Sequence, residues 1–255
     1  MLATMLANTP GTMASAPPTP LVPARATLEA EALVKRVPDG RGRRTVVDGV
    51  SLRVDRGELL VLQGQSGSGK TTLLAMLGAM LAPTSGEVRI DGVATSRLRD
   101  AHKSEVRRRN VGFVFQDAQL LRGLSVRANV LLSCVPDGES RADRERAEAL
   151  LARFELTPLV GAKAAVRSGG EAARVAMCRA LVRDPAIVLL DEPTAHLDEG
   201  ASRRLAEDLA TLTEEGRAIV VATHDPRLVD GLTRTVPRAR VRVESLQNGR
   251  LTGDA

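Results

Sequence analysis

Residues 64–71 read GQSGSGKT. The apolar run ELLVLQ precedes them, and TTLLAMLGAM follows from Thr71. The stretch fits G-x-x-x-x-G-K-[ST] at a strand-to-helix junction, the context this pattern needs. Its glycines let the backbone wrap a phosphate and aim successive N–H groups at it. The helix start adds a favourable dipole for an anion. Lys70 is placed to reach β- and γ-phosphates, and the Thr71 hydroxyl to bind Mg²⁺. The cofactor-binding set expected here is Gly64, Gln65, Ser66, Gly67, Ser68, Gly69, Lys70, Thr71 and Thr72. A glycine-rich turn with no ligand is the plain alternative, and the strand–loop–helix setting argues against it.

The rest of the chain alternates in kind. Apolar, β-rich runs lie at 59–62, 88–90, 111–115, 187–190 and 219–222. Helical patterns lie between several of them, at 71–81, 141–154, 171–182 and 202–212. Strands apolar on both faces and separated by helices predict a parallel α/β sheet. Residues from about 117 to 166 break the alternation and read as helices with polar connections. Near the end, Asn248-Gly249 within alternating residues signals a hairpin.

A second cluster of chemistry sits at strand ends. In AIVLLDE, four apolar residues deliver Asp191 and Glu192 to the carboxyl edge of the sheet, where α/β folds bind ligands. Asp191 can hold Mg²⁺ there, and Glu192 can orient or deprotonate an attacking water. Capping of the next helix by these acids is disfavoured because Pro193 intervenes. His224 ends the apolar run AIVVATHD, which suits a γ-phosphate contact better than a structural role. Gln116 ends VGFVFQ in the same way, and a neutral amide there can bind Mg²⁺ or water.

Composition excludes several classes. The chain has no Trp, no Tyr and three Phe, at 113, 115 and 154, so the core is aliphatic and aromatic platforms are scarce. Net charge is +5. Basic runs such as Arg107-Arg108-Arg109 alternate with acids and lack interleaved aromatics, so a solvated face is expected and no nucleic acid. Cys134 and Cys178 lack metal or redox spacing and read as small core residues in a reducing cytosol. No apolar run approaches the roughly 20 residues needed to span a bilayer. The Ala/Thr/Pro-biased start is a poor signal peptide and reads as a disordered tail, residues 1–26.

Taken in order, these motifs resemble the ATP-binding subunit of ABC transporters over roughly residues 28 to 252. Residues 64–71 match the Walker A loop, Gln116 the Q-loop, 187–191 Walker B, Glu192 the catalytic glutamate, and His224 the switch histidine. Ser168-Gly169-Gly170 match the signature motif, and Asp198 in AHLD the D-loop. The resemblance implies a P-loop NTPase: an α/β fold with a mostly parallel core sheet, an antiparallel β subdomain and an inserted α-helical subdomain. The ATPase domain would span 27–255, its helical insertion approximately 117–184. Two subunits, identical or paralogous, would pack head to tail. Ser168, Gly169 and Gly170 of each would then face the γ-phosphate held by the other, a fit to a helix N-terminus with a hydroxyl and close-approaching backbone. Mg-ATP hydrolysis would drive transmembrane permease subunits from the cytoplasmic side of the membrane. Within the family, VGFVFQDAQLLRGLSVRANV is similar to the subgroup serving lipoprotein release, macrolide-type efflux and the cell-division complex. A regulatory ATPase of a cell-division-type complex, a repair- or chromosome-type ATPase and a catalytically impaired nucleotide-binding module stay open as alternatives. About 95 residues between Asp91 and Ile187 are too few for the long coiled coil of the repair type.

The chain departs from the family pattern in places. Arg167 and Glu171 flank the signature where leucine and glutamine are usual, and His196 replaces an alanine in the D-loop. The family commonly stacks adenine on an aromatic, here expected near Val37, but VKRVPDGRGRR contains none. Such stacking is worth roughly 1–3 kcal/mol per base, about five- to hundredfold in affinity. Arg36 is the candidate to stack instead. Weakened base selectivity with intact phosphate chemistry is the expectation.

Overall fold

The computed structural model describes residues 27–40, 42–164 and 168–252. The expected tail over 1–26, and Arg167, lie outside the described residues.

Five mutually parallel strands form the body of one sheet: β3 (Leu59–Gln63), β6 (Val111–Val114), β7 (Ile187–Asp191), β8 (Ala218–Thr223) and β9 (Val241–Gln247). A short β10 (Arg250–Thr252) returns antiparallel to β9, giving the order β10-β9-β3-β8-β7-β6. Asn248 and Gly249 both have positive φ, 49° and 78°, as a tight primed turn requires. The strands alternate between two cores. Leu59, Val61, Val188, Leu190, Ile219 and Val221 face one cluster. Leu60, Leu62, Ile187, Leu189, Val220 and Ala222 face the other. Burial on both faces explains why these segments read as continuous apolar runs.

Helices cover the first face: α3 (Val126–Leu131), α4 (Arg141–Arg153), α5 (Gly169–Leu181), α6 (Glu199–Glu214) and α7 (Pro226–Thr235). On the second face α1 (Lys70–Leu77) buries Leu73, Leu74, Met76 and Leu77. Beside it lies an antiparallel sheet of β1 (Leu28–Asp39), β2 (Gly42–Val54), β4 (Ser85–Ile90) and β5 (Val93–Ala94), in the order β2-β1-β4-β5. The architecture is a P-loop NTPase fold with a mostly parallel core sheet, an antiparallel β part and inserted helices. No helix of the described residues is long and apolar enough to cross a membrane.

Several elements differ from the sequence expectation. The helix expected over 71–81 stops at Leu77, because Gly78 caps it and Ala79 turns into positive φ at 52°. The basic run Arg107-Arg108-Arg109 ends a helix, α2 (Asp100–Asn110), and is only partly a solvated face. Arg107 turns inward to donate to the Ala79 carbonyl at 2.9 Å, and Arg108 pairs with Asp137 at 3.2 Å. β1 and β2 carry register shifts around Ala30, Leu33 and Lys35. These interrupt the period-2 pattern that would have revealed two long strands. The helix over 141–153 starts as its sequence predicts, with Ser140 and Asp143 forming a reciprocal capping box.

Candidate functional site

All five parallel strands point their carboxyl ends to one edge, and the chemistry collects there. β3 leads into the loop of residues 64–69, which opens α1. Gly69 caps the helix in a left-handed conformation, φ 106°, with no side-chain cap. A Cβ there would come within 2.5 Å of the Val46 carbonyl, so glycine is required on both counts. The first N–H groups of α1 are thereby left for an anion. Across from the loop, the β9–β10 hairpin supplies Ser245, Leu246, Gln247 and Asn248, and His224 closes one side. The cleft between them holds about 480 Å³. The hairpin is tied to the loop, since the Gly249 N–H donates to the Ser68 carbonyl at 3.1 Å.

Lys70 and Glu192 meet beneath the loop. The Lys70 Nζ donates to the carbonyls of Gly64 at 2.6 Å and Gln65 at 3.1 Å, and lies 3.2 Å from Glu192 Oε1. Both residues are buried, at 5% and 8% exposure. The other Glu192 oxygen receives the His224 ring, with Nδ1 at 2.9 Å, and the His224 backbone N–H at 3.2 Å. Glu192 itself sits at φ 45°, a conformation costly for a non-glycine residue, and its N–H is fixed to the Ala222 carbonyl at 2.8 Å. Ala222 of β8 and His224 just after it thus hold Glu192 from one side, and Lys70 at the start of α1 meets it from the other. The result is a relay of ammonium, carboxylate and imidazole aimed at one point.

Asp191, one residue earlier, ends β7 beside Ala222. Burial pushes its carboxyl above the usual range, and the Glu192 charge adds to that. The Thr71 hydroxyl and the Lys70 ammonium pull it back down. Its Oδ1 is buried without a hydrogen-bond partner among the described residues. An orphaned hard oxygen beside a threonine hydroxyl suits Mg²⁺, which binds through one or two carboxylates together with substrate phosphates. Among the described residues no group of three His, Cys, Asp or Glu gathers as a self-sufficient metal site. The donor set therefore fits a cation delivered with a phosphate ligand.

Other expected site residues lie elsewhere. Ser168 is exposed and caps α5, its Oγ accepting from the Glu171 N–H at 3.1 Å. Glu171 occupies the first turn of that helix, where an acid is favoured. A Cβ on Gly169 would meet the His196 carbonyl at 2.4 Å, so the start of α5 is wedged against the loop that leads to Asp198. Asp198 caps α6, accepting from the Ala201 N–H at 2.7 Å. Gln116 is exposed and lines a small hollow of about 60 Å³ with Gly169, Pro193 and His196 rather than the cleft. His196 lies 3.5 Å from Asp117.

Two residues with no role in the sequence reading hold the Gln116 loop. Arg179, near the end of α5, donates to the carbonyls of Ala118 and Gln119 at 2.5 and 2.8 Å. Asn129 is fully buried and exchanges bonds of 2.8 and 3.0 Å with the Leu121 backbone. A polar amide inside the otherwise apolar run NVLL was the available signal for the second.

The family described as "ABC transporter" matches residues 47–195, and these include the loop, Lys70, Asp191 and Glu192. This chain belongs to the ABC transporter family. The cassettes of that family bind and hydrolyse ATP, and this cassette is an ATPase. Among the most similar relatives is the lipoprotein-releasing system ATP-binding protein LolD of Bordetella avium, 43% identical over 226 residues, 86% of this chain and 96% of the relative. LolD 2 of Rhodospirillum rubrum is 40% identical over 229 residues, covering 89% and 96%. Two solved structures of the cassette MJ0796 are also similar. One is described as a dimeric post-hydrolysis state bound to ADP and Pi, the other as a dimeric bacterial ABC transporter cassette. Each superposes with a TM-score of 0.79 at 33% identity, covering 88% of this chain and 96% of theirs. Cassettes of this family dimerise and serve transporter systems.

Proposed function

We propose that this ABC ATPase is the motor subunit of a lipoprotein-releasing or similar extracting transporter. It works at the cytoplasmic face of the membrane, bound to transmembrane permease subunits. The names of the two relatives above support the extracting role.

The observation that carries the catalytic reading is the buried contact of Lys70 and Glu192 under a glycine loop, with His224 on the second carboxylate oxygen. A triphosphate seated on the α1 N-terminus competes with Glu192 for Lys70, whose ammonium then bridges the β- and γ-phosphates. Glu192, released from that partner, accepts a proton from a water as its oxygen attacks the γ-phosphorus. The bond to the bridging oxygen breaks, and ADP leaves with that electron pair. His224 holds the carboxylate and contacts the γ-phosphate. Thr71 and Asp191 are the residues that would hold Mg²⁺, which supplies charge neutralisation when bound. Gln116 reports the γ-phosphate to the permease from its loop. Ser168, Gly169, Gly170 and Asp198 belong to the facing subunit's site, which explains why they stand outside the cleft of their own chain. Two copies, or one copy and a paralogue, therefore enclose two nucleotides.

Glu192→Gln tests the assignment. The variant binds ATP with near-native affinity while phosphate release falls about a hundredfold or more, the usual scale for a general base. Turnover at the original rate removes Glu192 from the mechanism.

A further inference from the structure

We propose that Arg179 is a positioning residue that clamps a strained, left-handed turn just after Gln116, so that α5 sets where Gln116 stands. The proposal goes beyond the reading above, and only its effect on turnover rests on the role given there to Gln116.

Gln116 and Asp117 lie inside a turn closed by the Ala118 N–H, which donates to the Phe115 carbonyl at 3.0 Å. The chain then folds back more sharply. The Gln119 N–H donates to the Asp117 carbonyl at 2.5 Å, making a three-residue turn with Ala118 at its centre. Ala118 has φ 54° and Gln119 φ 47°. A three-residue turn around a positive φ is the rarer and more strained form. Neither residue is glycine, and each pays for the left-handed region with its Cβ. Their own side chains offer no compensation. Ala118 carries no polar group, and Gln119 is exposed.

The compensation comes from α5. One guanidinium takes both carbonyls, that of Ala118 at 2.5 Å and that of Gln119 at 2.8 Å. A planar fork suits two neighbouring acceptors, and a single ammonium does not. The dependence runs both ways. Burial pulls the Arg179 guanidinium below its ordinary pKa, and among the described residues no acid offsets that pull. A partly buried cation without a carboxylate must be satisfied by hydrogen bonds. The two carbonyls of the strained turn supply them. The left-handed region disfavours an ordinary residue by about five- to thirtyfold. Without the fork the turn is therefore expected to open, and Gln116 moves with it.

Amide hydrogen exchange over residues 116–121 is followed in the full-length protein, with ATP turnover by the same samples. Arg179→Ala is expected to raise exchange there about tenfold or more. It lowers kcat about three- to tenfold with KM kept. Gln119→Gly removes the left-handed penalty without touching a catalytic group. In the native background it leaves both readouts within about twofold. In the Arg179→Ala background it restores both. Gln119→Val, which is worse at positive φ, raises exchange even with Arg179 present. Should Arg179→Ala fail to fold, Arg179→Lys carries the test. It keeps the charge and loses the fork, so a smaller rise in exchange and the same rescue by Gln119→Gly are expected. Unchanged exchange in the Arg179 variants, or no rescue by Gln119→Gly, overturns the proposal. Rescued exchange with turnover never lost keeps the clamp and removes Gln116 from turnover.

Discussion

The starts of α1 and α5 both fall at a serine–glycine pair, Ser68-Gly69 and Ser168-Gly169, yet they are built in opposite ways. α1 begins from a left-handed glycine with no side-chain cap, at a buried lysine, just after the loop that walls the cleft. α5 begins from an exposed serine that caps its own helix, outside that cleft. The first has its donors free and its surroundings supplied by core strands. The second has its capping work done locally and presents the rest of its N–H groups outward. A hydroxyl that accepts from the Glu171 N–H can still donate its proton to an anion. The comparison teaches that one helix start is left open beside a cleft, while the other is capped by its own serine and exposed.

Mixing two damaged chains is the strongest way to break that comparison. Lys70→Ala removes the ammonium from the cleft. Ser168→Asp keeps a good cap but sets a carboxylate against an incoming phosphate. Each variant alone is expected to lose about a hundredfold or more in turnover. Random head-to-tail dimers of an equal mixture restore about a quarter of the wild-type rate, because half the dimers then contain one intact site. No recovery on mixing shows that Ser168 does not complete a neighbour's site.

Asp191→Asn sharpens the contrast from the buried side. Loss of the hard anionic oxygen lowers turnover about ten- to hundredfold, a loss that added Mg²⁺ partly restores. Stability moves the other way. The fold holds the Asp191 pKa above its ordinary value, so the ionised form costs stability. That cost is absent below the unfolded value near 3.8, grows as pH rises through the folded value, and is full above it. The variant's Tm is therefore expected to exceed wild type at neutral pH and to match it below the ordinary aspartate range. A lower Tm at pH 7 would refute the desolvation account.

Smaller effects are expected where the two ends are linked. Arg179→Ala frees the Ala118 and Gln119 carbonyls and loosens the Gln116 loop from α5. A fall in kcat of about three- to tenfold with KM unchanged is expected, since positioning is lost and nucleotide contact is not. Arg179→Lys recovers part of the loss, and a change confined to KM would place the residue in nucleotide binding. The smallest effect concerns Cys178, whose thiol burial pushes up to about 12. A maleimide at pH 8 leaves it unmodified in the folded protein and labels it only after denaturation.

Much of the candidate site was legible because it lies at the junction of local patterns. GQSGSGKT marks its own strand and helix, and the acids after AIVLL fall at a strand end whatever the neighbours are. The β9–β10 turn was legible from Asn248-Gly249, but its place as a cleft wall was not, since nothing local says which strand β9 pairs with. The stapling partners of Arg179 and Asn129 could not be read, because they are backbone groups 60 and 8 residues away that carry no side-chain signature. The two long strands of the antiparallel sheet were hidden by bulges that break the alternating pattern.

The sequence by itself determined the elements that one strand, one turn or one helix start can specify: the glycine loop, the paired acids, the Asn-Gly turn and the scarcity of rings. Only the tertiary structure decided that Lys70 stands 3.2 Å from Glu192, that His224 takes the other oxygen, and that Gln116 and Ser168 are kept out of the cleft. The physical reason is strand order. β8 lies between β3 and β7, so three segments far apart in sequence end side by side at one sheet edge, and pairing between distant strands is information no single stretch of chain contains.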